Sequence, residues 1–443
     1  MLGNGEDVRI RQPRADGADG SAARQDICDQ HPSATRTLLR LEARTYAHEG
    51  TGMTQRASMD GDSDAIPGFP RTSGVVARGI ADRLHLGVQL YVAIDGATLA
   101  DVGVGQAQPG TALTADTIMP WLSAGKPAGA IAIARLWERG ALELDDPAAR
   151  FIPEFGTHGK AGVTIRHLLT HTGGFRGGIR ARPDAPWDEV IARICDMRLE
   201  PRWIPGQRAG YHSWTSWFIL AEIVHRAGGR EYSRVVREEI FEPAGMSNSW
   251  IGIPPEARAA YGDRFGILYD TSRKEAHQSE ADAEALGRPY RPGGSGRGPM
   301  RELGRFYEML RARGRLGDTR LLLPQTVEAL TARHRAGMFD QTFRCVMDWG
   351  LGFVLDSKMY GPGIPYGYGR HASSRTFGHS GRESSCAFCD LERGLVVAWA
   401  ANGMPGDPRH QARATALNEA IYEDLGLAQT VESRRSRGSS RSG

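Results

Sequence analysis

A serine stands three residues before a lysine in the tetrapeptide Ser123-Ala-Gly-Lys126. Residues three apart on a helix lie on the same face, so this spacing places a hydroxyl beside an amine. A serine hydroxyl is a poor nucleophile unless a neighbouring group accepts its proton as the new bond forms. The spacing therefore predicts that Ser123 is a nucleophile activated by Lys126.

Lysine is rare in this chain, which makes the pair more informative than a chance tetrapeptide. Among the 55 basic residues the lysines are Lys126, Lys160, Lys274 and Lys358, and all the others are arginine. The alternative, a capped surface helix that carries a solvated lysine, stays open on these residues alone.

The local sequence places the pair at the start of a helix. Apolar residues recur at helical spacing over residues 128–139, and Gly140 supplies a stop signal. Pro127 is tolerated only in the first turn of a helix, so the helix is predicted to begin at or near Ser123. The serine would then lie at the positive end of the helix dipole.

The rest of the chain predicts strands towards its two ends and helices between them. Residues 86–105 predict two strands joined at Asp95-Gly96, a dipeptide that favours a tight hairpin turn. Strands at both ends with helices between them indicate one α/β (α+β) domain interrupted by a helical insertion. Further strands are predicted over 384–390 and 395–402, and further helices over 164–170, 214–226 and 411–425.

These patterns divide the chain into four regions. The first region is poor in sustained apolar periodicity, with one short helical stretch near residues 35–47. The insertion carries both Ser123-x-x-Lys126 and a tyrosine motif at Tyr211. The predicted regions are a disordered extension (1–70), a sheet domain (71–120 and 345–428), a mainly helical insertion domain (121–344) and a flexible basic tail (429–443).

Composition argues against several classes of protein. The formal net charge is +3 and basic residues are not interleaved with aromatic ones, so no nucleic-acid partner is expected. No apolar run approaches the roughly 18 to 20 residues that cross a bilayer, and residues 1–20 lack the apolar centre of a secretory signal. Five cysteines, an odd number, do not indicate a disulfide framework. We therefore expect a cytoplasmic protein without a membrane partner, whose oligomeric state stays open.

Two further motifs follow in the chain, Tyr211-His-Ser213 and His379-Ser-Gly381. Together with Ser123-x-x-Lys126, their order and spacing resemble the serine β-lactamase and penicillin-binding-protein superfamily. The resemblance is to its class C-like branch, which also contains D-aminopeptidases, esterases and transacylases. It extends over about residues 79–427 and includes the connecting stretches 140–147, 165–174 and 240–246.

The resemblance implies both a fold and a chemistry. The fold would be a mostly antiparallel sheet flanked by N- and C-terminal helices, with a large helical insertion. Ser123 would attack an ester or amide carbonyl to give an acyl-enzyme, with Lys126 and Tyr211 sharing the role of base. The backbone N–H groups of Ser123 and Arg382 would hold the oxyanion. No cofactor and no metal is implied.

Two departures from the β-lactamase pattern lie among the predicted substrate contacts. Ser213 stands where β-lactamases carry an asparagine, and His379 stands where they carry a lysine before Gly381. The chain thus lacks an amide for an acylamino side chain and a permanent cation for a β-lactam carboxylate, although Arg382 partly substitutes. Both losses are common in esterase and transacylase members of the branch.

The leading functional hypothesis is a transacylase of a biosynthetic pathway, which passes an acyl group from a small-molecule ester to an amine or alcohol. It follows from the expected cytoplasmic location and from a composition rich in arginine and poor in lysine, as in high-GC bacteria. The alternative is a carboxylesterase that passes the acyl group to water. A β-lactamase, a D-aminopeptidase and a non-catalytic binding or sensor protein are less favoured.

Three other patterns carry weaker expectations. Cys386 and Cys389 lie three apart in a predicted strand, so they point to opposite faces and are expected to pack in the core. His167 and His171 have the spacing of zinc ligands, but Leu168 stands where a metalloprotease needs its glutamate. The glycine-rich segment 293–298 lacks the flanking strand and helix of a phosphate loop, and residues 262–301 are expected to be mainly loops.

Three tryptophans lie beside the motifs, and two roles stay open for them. They are candidates to line the acyl pocket, while core packing is at least as well supported for the last two. The three are Trp121, Trp214 and Trp217.

Overall fold

The computed structural model describes residues 65–179, 185–273, 275–286 and 290–428. The helical stretch predicted near residues 35–47 and the tail predicted over 429–443 lie outside these residues. The predicted extension over 1–70 also lies outside them, apart from its last few residues. Of those, Ile66 and Phe69 are buried in the core.

The helices of the described residues are distributed over the whole chain. Their bounds are α1 Pro70–Ala81, α2 Lys126–Glu138, α3 Ile165–Leu169, α4 Trp187–Asp196, α5 Thr215–Gly228, α6 Tyr232–Val236, α7 Pro255–Tyr261, α8 Glu280–Ala285, α9 Met300–Arg311, α10 Pro324–Thr331 and α11 Asp407–Asp424. Within this part of the chain, none of them is both long enough and apolar enough to cross a membrane.

The strands are long at the two ends of the described chain and short in the middle. Their bounds are β1 Gly87–Ile94, β2 Ala97–Gln108, β3 Thr111–Ala112, β4 Met119–Pro120, β5 Trp250–Ile251, β6 Tyr269–Asp270, β7 His277–Gln278, β8 Gly296–Gly298, β9 Arg315–Leu316, β10 Thr319–Arg320, β11 Phe339–Asp340, β12 Cys345–Val346, β13 Val354–Leu355, β14 Thr376–Gly381, β15 Ser385–Asp390, β16 Leu395–Ala401 and β17 Gly403–Met404.

One seven-stranded sheet forms the centre of the fold, in the order β13-β14-β15-β16-β1-β2-β3. All its neighbouring strands run antiparallel. The predicted hairpin at Asp95-Gly96 is confirmed, since Ile94 pairs with Ala97 and both turn residues have positive φ angles of 50° and 85°. Such angles give a turn whose twist matches that of the strands it joins.

Each face of the sheet is covered by helices, which explains the near-continuous apolar sequence of β16. Helices α1 and α11 pack together on one face, while α9 packs on the other, beyond which α2 and α5 continue the core. The predicted fold class, a mostly antiparallel sheet flanked by N- and C-terminal helices, is confirmed. Cys386 and Cys389 point into the two different cores, as the strand alternation predicted.

The helices predicted over 164–170 and 214–226 are found as α3 and α5. The expectation that residues 262–301 are mainly loops is wrong at residues 280–285, which form α8, and at residues 296–298. There β8 is the central strand of a buried three-stranded sheet, between β4 and β5. A Cβ atom on Gly298 would lie 2.6 Å from the Ser249 Oγ, so the glycines are needed for close packing, which local sequence does not reveal. The proposed division into sheet and insertion domains stays a prediction.

Candidate active site

Ser123 lies in a tight 3₁₀ turn, Leu122–Gly125, which leads directly into α2. Two backbone contacts fix this turn: the Trp121 amide donates to the Gly296 carbonyl at 2.8 Å, and the Ser385 hydroxyl donates to the Trp121 carbonyl at 2.6 Å. Leu122 has a φ angle of 49°, a left-handed conformation that is strained for leucine. The surrounding strands therefore hold the turn in a conformation that is unfavourable at Leu122, directly before the serine.

Lys126 points back from the first turn of α2 to the serine. Its Nζ lies 2.8 Å from the Ser123 Oγ and 2.5 Å from the Gly293 carbonyl oxygen. The side chain is fully buried, and the rings of Tyr211, Trp214 and Trp217 surround Nζ, with centroids 5.4 to 5.7 Å away. None of the ion pairs found among the described residues involves this lysine.

Burial without an acidic partner lowers the pKa of Lys126 well below its ordinary value. A neutral amine has two hydrogens and one lone pair. One hydrogen satisfies the Gly293 carbonyl, and the lone pair is then free to accept the proton of the Ser123 hydroxyl. The local environment therefore makes Lys126 chemically suited to act as a base.

Tyr211 approaches the serine from the loop that precedes α5. Its hydroxyl donates to the Ser123 Oγ at 3.1 Å. Burial raises the pKa of Tyr211 far above its ordinary value, and the hydrogen bond to Ser123 opposes this only in part. The phenol therefore stays protonated, and the serine oxygen lies between a base and a hydrogen-bond donor.

The end of β14 carries the third motif, His379-Ser-Gly381, past the turn that contains Ser123. A Cβ atom on Gly381 would lie 2.3 Å from the Trp121 carbonyl oxygen and 3.1 Å from the Leu122 Cβ, so only glycine permits this approach. The next residue, Arg382, is exposed, and its guanidinium lies 4.0 Å from the Glu383 carboxylate. Gly381 thus brings the backbone at Arg382 beside the turn that carries Ser123.

His379 is buried at the edge of the site and is held in one tautomer. Its Nδ1 donates to the Ser380 carbonyl at 2.9 Å, so Nε2 carries the lone pair, and Nε2 has no hydrogen-bond partner among the described residues. Burial lowers the pKa of His379 to about 3. The position therefore offers a neutral acceptor rather than a cation.

These residues surround one cleft of about 570 Å³. Of the predicted site residues, Ser123, Tyr211, Ser213, His379 and Arg382 line it directly. Lys126 and Gly381 lie behind this lining and support it. The other wall residues include four aromatic side chains, of which the sequence analysis named only Trp214. The other three are Phe343, Trp349 and Tyr366.

Of the two roles left open for the three neighbouring tryptophans, lining the cleft holds for Trp214 and core packing holds for Trp121 and Trp217. Trp121 and Trp217 are buried in the core, at 0% and 1% exposure. The prediction also missed the Gly293 carbonyl, which lies 167 residues from the lysine it binds. No local sequence pattern connects Gly293 with Lys126. The sequence signal at this position was the glycine-rich segment 293–298, which did not indicate a contact with the lysine.

The two histidines with zinc-like spacing serve different purposes in the fold. His167 caps α3, because its Nδ1 accepts from the Thr164 amide at 3.2 Å. His171 instead packs its ring against Tyr211, with centroids 4.7 Å apart. Among the described residues, no group of three or more His, Cys, Asp or Glu side chains is placed to hold a metal ion.

Comparison with known proteins agrees with this geometry. The family model described as Beta-lactamase matches residues 73–421. Esterase EstB from Burkholderia gladioli is 27% identical over 403 residues, covering 81% of this chain and 96% of EstB. Esterase/beta-lactamase LipL from Mycobacterium tuberculosis is 26% identical over 369 residues, covering 75% of this chain and 81% of LipL. The solved structure of a penicillin-binding protein homolog from Caulobacter crescentus has a TM-score of 0.67 and 28% identity, covering 81% of this chain and 98% of the homolog.

Proposed function

We propose that this chain, which belongs to the beta-lactamase family of serine hydrolases, is an esterase that forms an acyl-enzyme on Ser123 from a small uncharged ester. The observation that carries the proposal is the position of the Ser123 Oγ, between the Lys126 amine at 2.8 Å and the Tyr211 hydroxyl at 3.1 Å. The family membership agrees with the resemblance predicted from the motifs.

In the acylation step, Lys126 accepts the Ser123 proton while the serine oxygen forms a bond to the ester carbonyl carbon. When the tetrahedral intermediate collapses, the bond to the leaving alcohol breaks. The alcohol oxygen takes a proton from the Tyr211 phenol, which Lys126 then reprotonates. The opposite pKa shifts of the two groups support this assignment, since the amine is the better base and the phenol remains a donor.

In the deacylation step, water replaces the alcohol. It gives a proton to Lys126 as its oxygen attacks the acyl carbon. The bond to the Ser123 oxygen then breaks, and Lys126 returns the proton to that oxygen. The oxyanion of both intermediates is assigned to the backbone N–H groups of Ser123 and Arg382. The close approach of Gly381 to the turn that contains Ser123 supports this assignment. Loss of one such donor typically costs about 3 to 4 kcal/mol of transition-state stabilisation.

The lining of the cleft supports an uncharged substrate. Most residues of its walls are aromatic or aliphatic, and the buried position that β-lactamases give to lysine holds the neutral His379. Arg382 is the cation at the cleft mouth, but it is exposed and faces Glu383, so it would bind a carboxylate only weakly. Esters are therefore favoured over β-lactams.

The proposal is tested with p-nitrophenyl butyrate and intact-mass spectrometry after rapid quenching. We expect a butyryl adduct on the wild type, release of butyrate, and neither in Ser123→Ala. Full turnover by Ser123→Ala, or no adduct under burst conditions at any pH, would overturn the mechanism. Nitrocefin, a chromogenic β-lactam, serves as the competing substrate and should turn over far more slowly.

Transfer to an amine or alcohol, the leading prediction from the sequence, is decided by the same assay with a panel of acceptors added. The name of EstB describes an esterase and that of LipL an esterase/beta-lactamase; both describe hydrolases, and this favours water as the acceptor. An amide or new ester that forms at the expense of free butyrate would restore the transacylase hypothesis. Free acid alone at every acceptor concentration would reject it.

A further inference from the structure

We propose that His171 is a positioning residue that holds the Tyr211 phenol on the Ser123 oxygen. The inference rests on the proposed function, in which Tyr211 takes part in acyl transfer. His171 does not line the cleft and does not touch Ser123, so its contribution passes through the tyrosine.

His171 binds both of the backbone amides that flank Tyr211. Its carbonyl oxygen accepts from the Gly210 amide at 3.0 Å, and its ring Nδ1 accepts from the His212 amide at 3.1 Å. Its ring also packs on the Tyr211 ring, with centroids 4.7 Å apart. His171 therefore contacts the residue before Tyr211, the residue after it, and the Tyr211 ring itself.

These contacts define the protonation state of the His171 ring. Because the His212 amide is a donor, Nδ1 must carry the lone pair, and the single ring proton lies on Nε2. That nitrogen is buried and has no hydrogen-bond partner among the described residues; the Trp349 ring lies edge-on to the imidazole, with centroids 4.5 Å apart. Protonation of Nδ1 would destroy the contact to His212, and burial lowers the pKa of His171 well below its ordinary value.

His212 is locked in the opposite tautomer. The Thr215 hydroxyl donates its hydrogen to the Phe175 carbonyl at 3.0 Å, so it accepts from the His212 Nδ1 at 3.0 Å. The remaining nitrogen, Nε2, accepts from the Gly174 amide at 3.3 Å. The two neutral imidazoles therefore join the 171–175 loop to the segment that carries Tyr211.

A second set of hydrogen bonds holds the backbone amide of Tyr211 itself. The Asp340 carboxylate accepts from the Tyr211 amide at 3.2 Å and pairs with Arg335 at 2.8 Å. Arg335 in turn donates to the Thr170 carbonyl at 3.2 Å, one residue before His171. The backbone of Tyr211 thus lies in a closed network, and His171 itself has a strained φ angle of 58° within it.

Two variants distinguish the contribution of the His171 Nδ1 acceptor from that of its ring packing. His171→Phe keeps a flat ring but loses the Nδ1 acceptor, whereas His171→Asn keeps an acceptor and tolerates the left-handed backbone. We expect His171→Phe to lower kcat about 10- to 30-fold with KM changed less than about 3-fold, and His171→Asn to recover most of the loss. Wild-type kcat in His171→Phe would overturn the proposal.

A double-mutant cycle with Tyr211→Phe tells positioning apart from general destabilisation. If His171 acts through the phenol, His171→Phe should lower kcat by no more than about 2-fold once that phenol is absent. The full 10- to 30-fold loss in this background would contradict the proposal. Wild-type kcat in the Tyr211→Phe single variant would instead overturn the proposed function, so the two failures are distinguishable.

Should His171→Phe not fold, the wild-type protein still tests the inference. Long-range ¹H–¹⁵N spectra of histidine-labelled protein, assigned with His171→Asn, report which ring nitrogen carries the proton. We expect the proton on Nε2 for His171, on Nδ1 for His212, and no titration of either ring near pH 6.5. A His171 ring with its proton on Nδ1 would reject the assignment.

Discussion

Two buried lysines occupy very different surroundings in this protein. The Lys160 Nζ donates to three backbone carbonyls, those of Thr157 at 3.1 Å, Cys195 at 2.9 Å and Met197. Three acceptors match the three hydrogens of an ammonium group, so this region stabilises a cation. The Lys126 Nζ has only two polar neighbours, the Gly293 carbonyl and the Ser123 hydroxyl, and three aromatic rings surround it among the described residues. These groups do not supply three acceptors for an ammonium group.

The comparison shows that burial alone does not make a lysine a base. Burial lowers the pKa of both side chains, but at Lys160 the neighbouring Cys195 and Asp196 oppose the shift. The number of acceptors around Nζ decides whether the ammonium or the amine is favoured. By this criterion Lys160 serves the structure and Lys126 serves the proposed chemistry.

The largest effect is expected where the base is removed. Lys126→Met should lower kcat/KM about 10³- to 10⁴-fold, because Ser123 then has no proton acceptor. Its free energy of unfolding should fall by less than that of Lys160→Met, since one buried carbonyl, that of Gly293, loses its donor while an amine without an acidic partner is replaced by an apolar side chain. Steady-state kinetics and urea unfolding check the two parts, and a catalytic loss under about 10-fold would contradict the assignment.

Lys160→Met should give the reverse result. Three buried carbonyls lose their donor, so the free energy of unfolding should fall by about 2 to 4 kcal/mol, while kcat/KM stays within about 3-fold of wild type. Urea unfolding followed by circular dichroism measures the first quantity. A large loss of activity in a stable, folded Lys160→Met protein would remove the contrast between the two lysines.

A smaller effect is expected from the residue that places the Lys126 amine. In Gly293→Ala the added methyl group would lie 2.9 Å from the Lys126 Nζ and from the Trp217 ring, so the amine must shift. We expect kcat to fall about 10-fold. Gly162→Ala, beside Lys160, is the matched control because its Cβ would meet nothing within 4 Å. Equal kinetics for the two variants would contradict the role given to the Gly293 carbonyl.

The last effect concerns the pH dependence of stability. The folded-state pKa of Lys126 is lowered, so between that pKa and about 10.4 the unfolded chain binds one more proton than the folded chain. This group therefore makes stability rise with pH in that window, by at most about 1.4 kcal/mol per pH unit. Lys126→Met should flatten the rise more than Lys160→Met does. Urea midpoints between pH 7 and 10 measure the difference, and parallel curves for both variants would refute it.

Much of the fold could be predicted because its signals are local. The Asp95-Gly96 turn, the helical periodicity of α5 and the alternation that separates Cys386 from Cys389 all depend on neighbouring residues. The β8 strand was missed because glycines at 296 and 298 have no side chains to alternate, and their role is to let other segments approach closely.

In the candidate site, too, the features that depend on neighbouring residues were predicted and those that depend on distant residues were not. The three-residue spacing of Ser123 and Lys126 already determined that hydroxyl and amine would lie side by side, and the resemblance of the motifs to a known family pointed to Tyr211 and His379. Only the tertiary structure decided which group is suited to be the base, because the pKa of a buried amine depends on partners such as Gly293, 167 residues away. It also decided that His379 is neutral and that His171 accepts from both amides that flank Tyr211, since burial and long-range hydrogen bonds arise only when distant segments pack together.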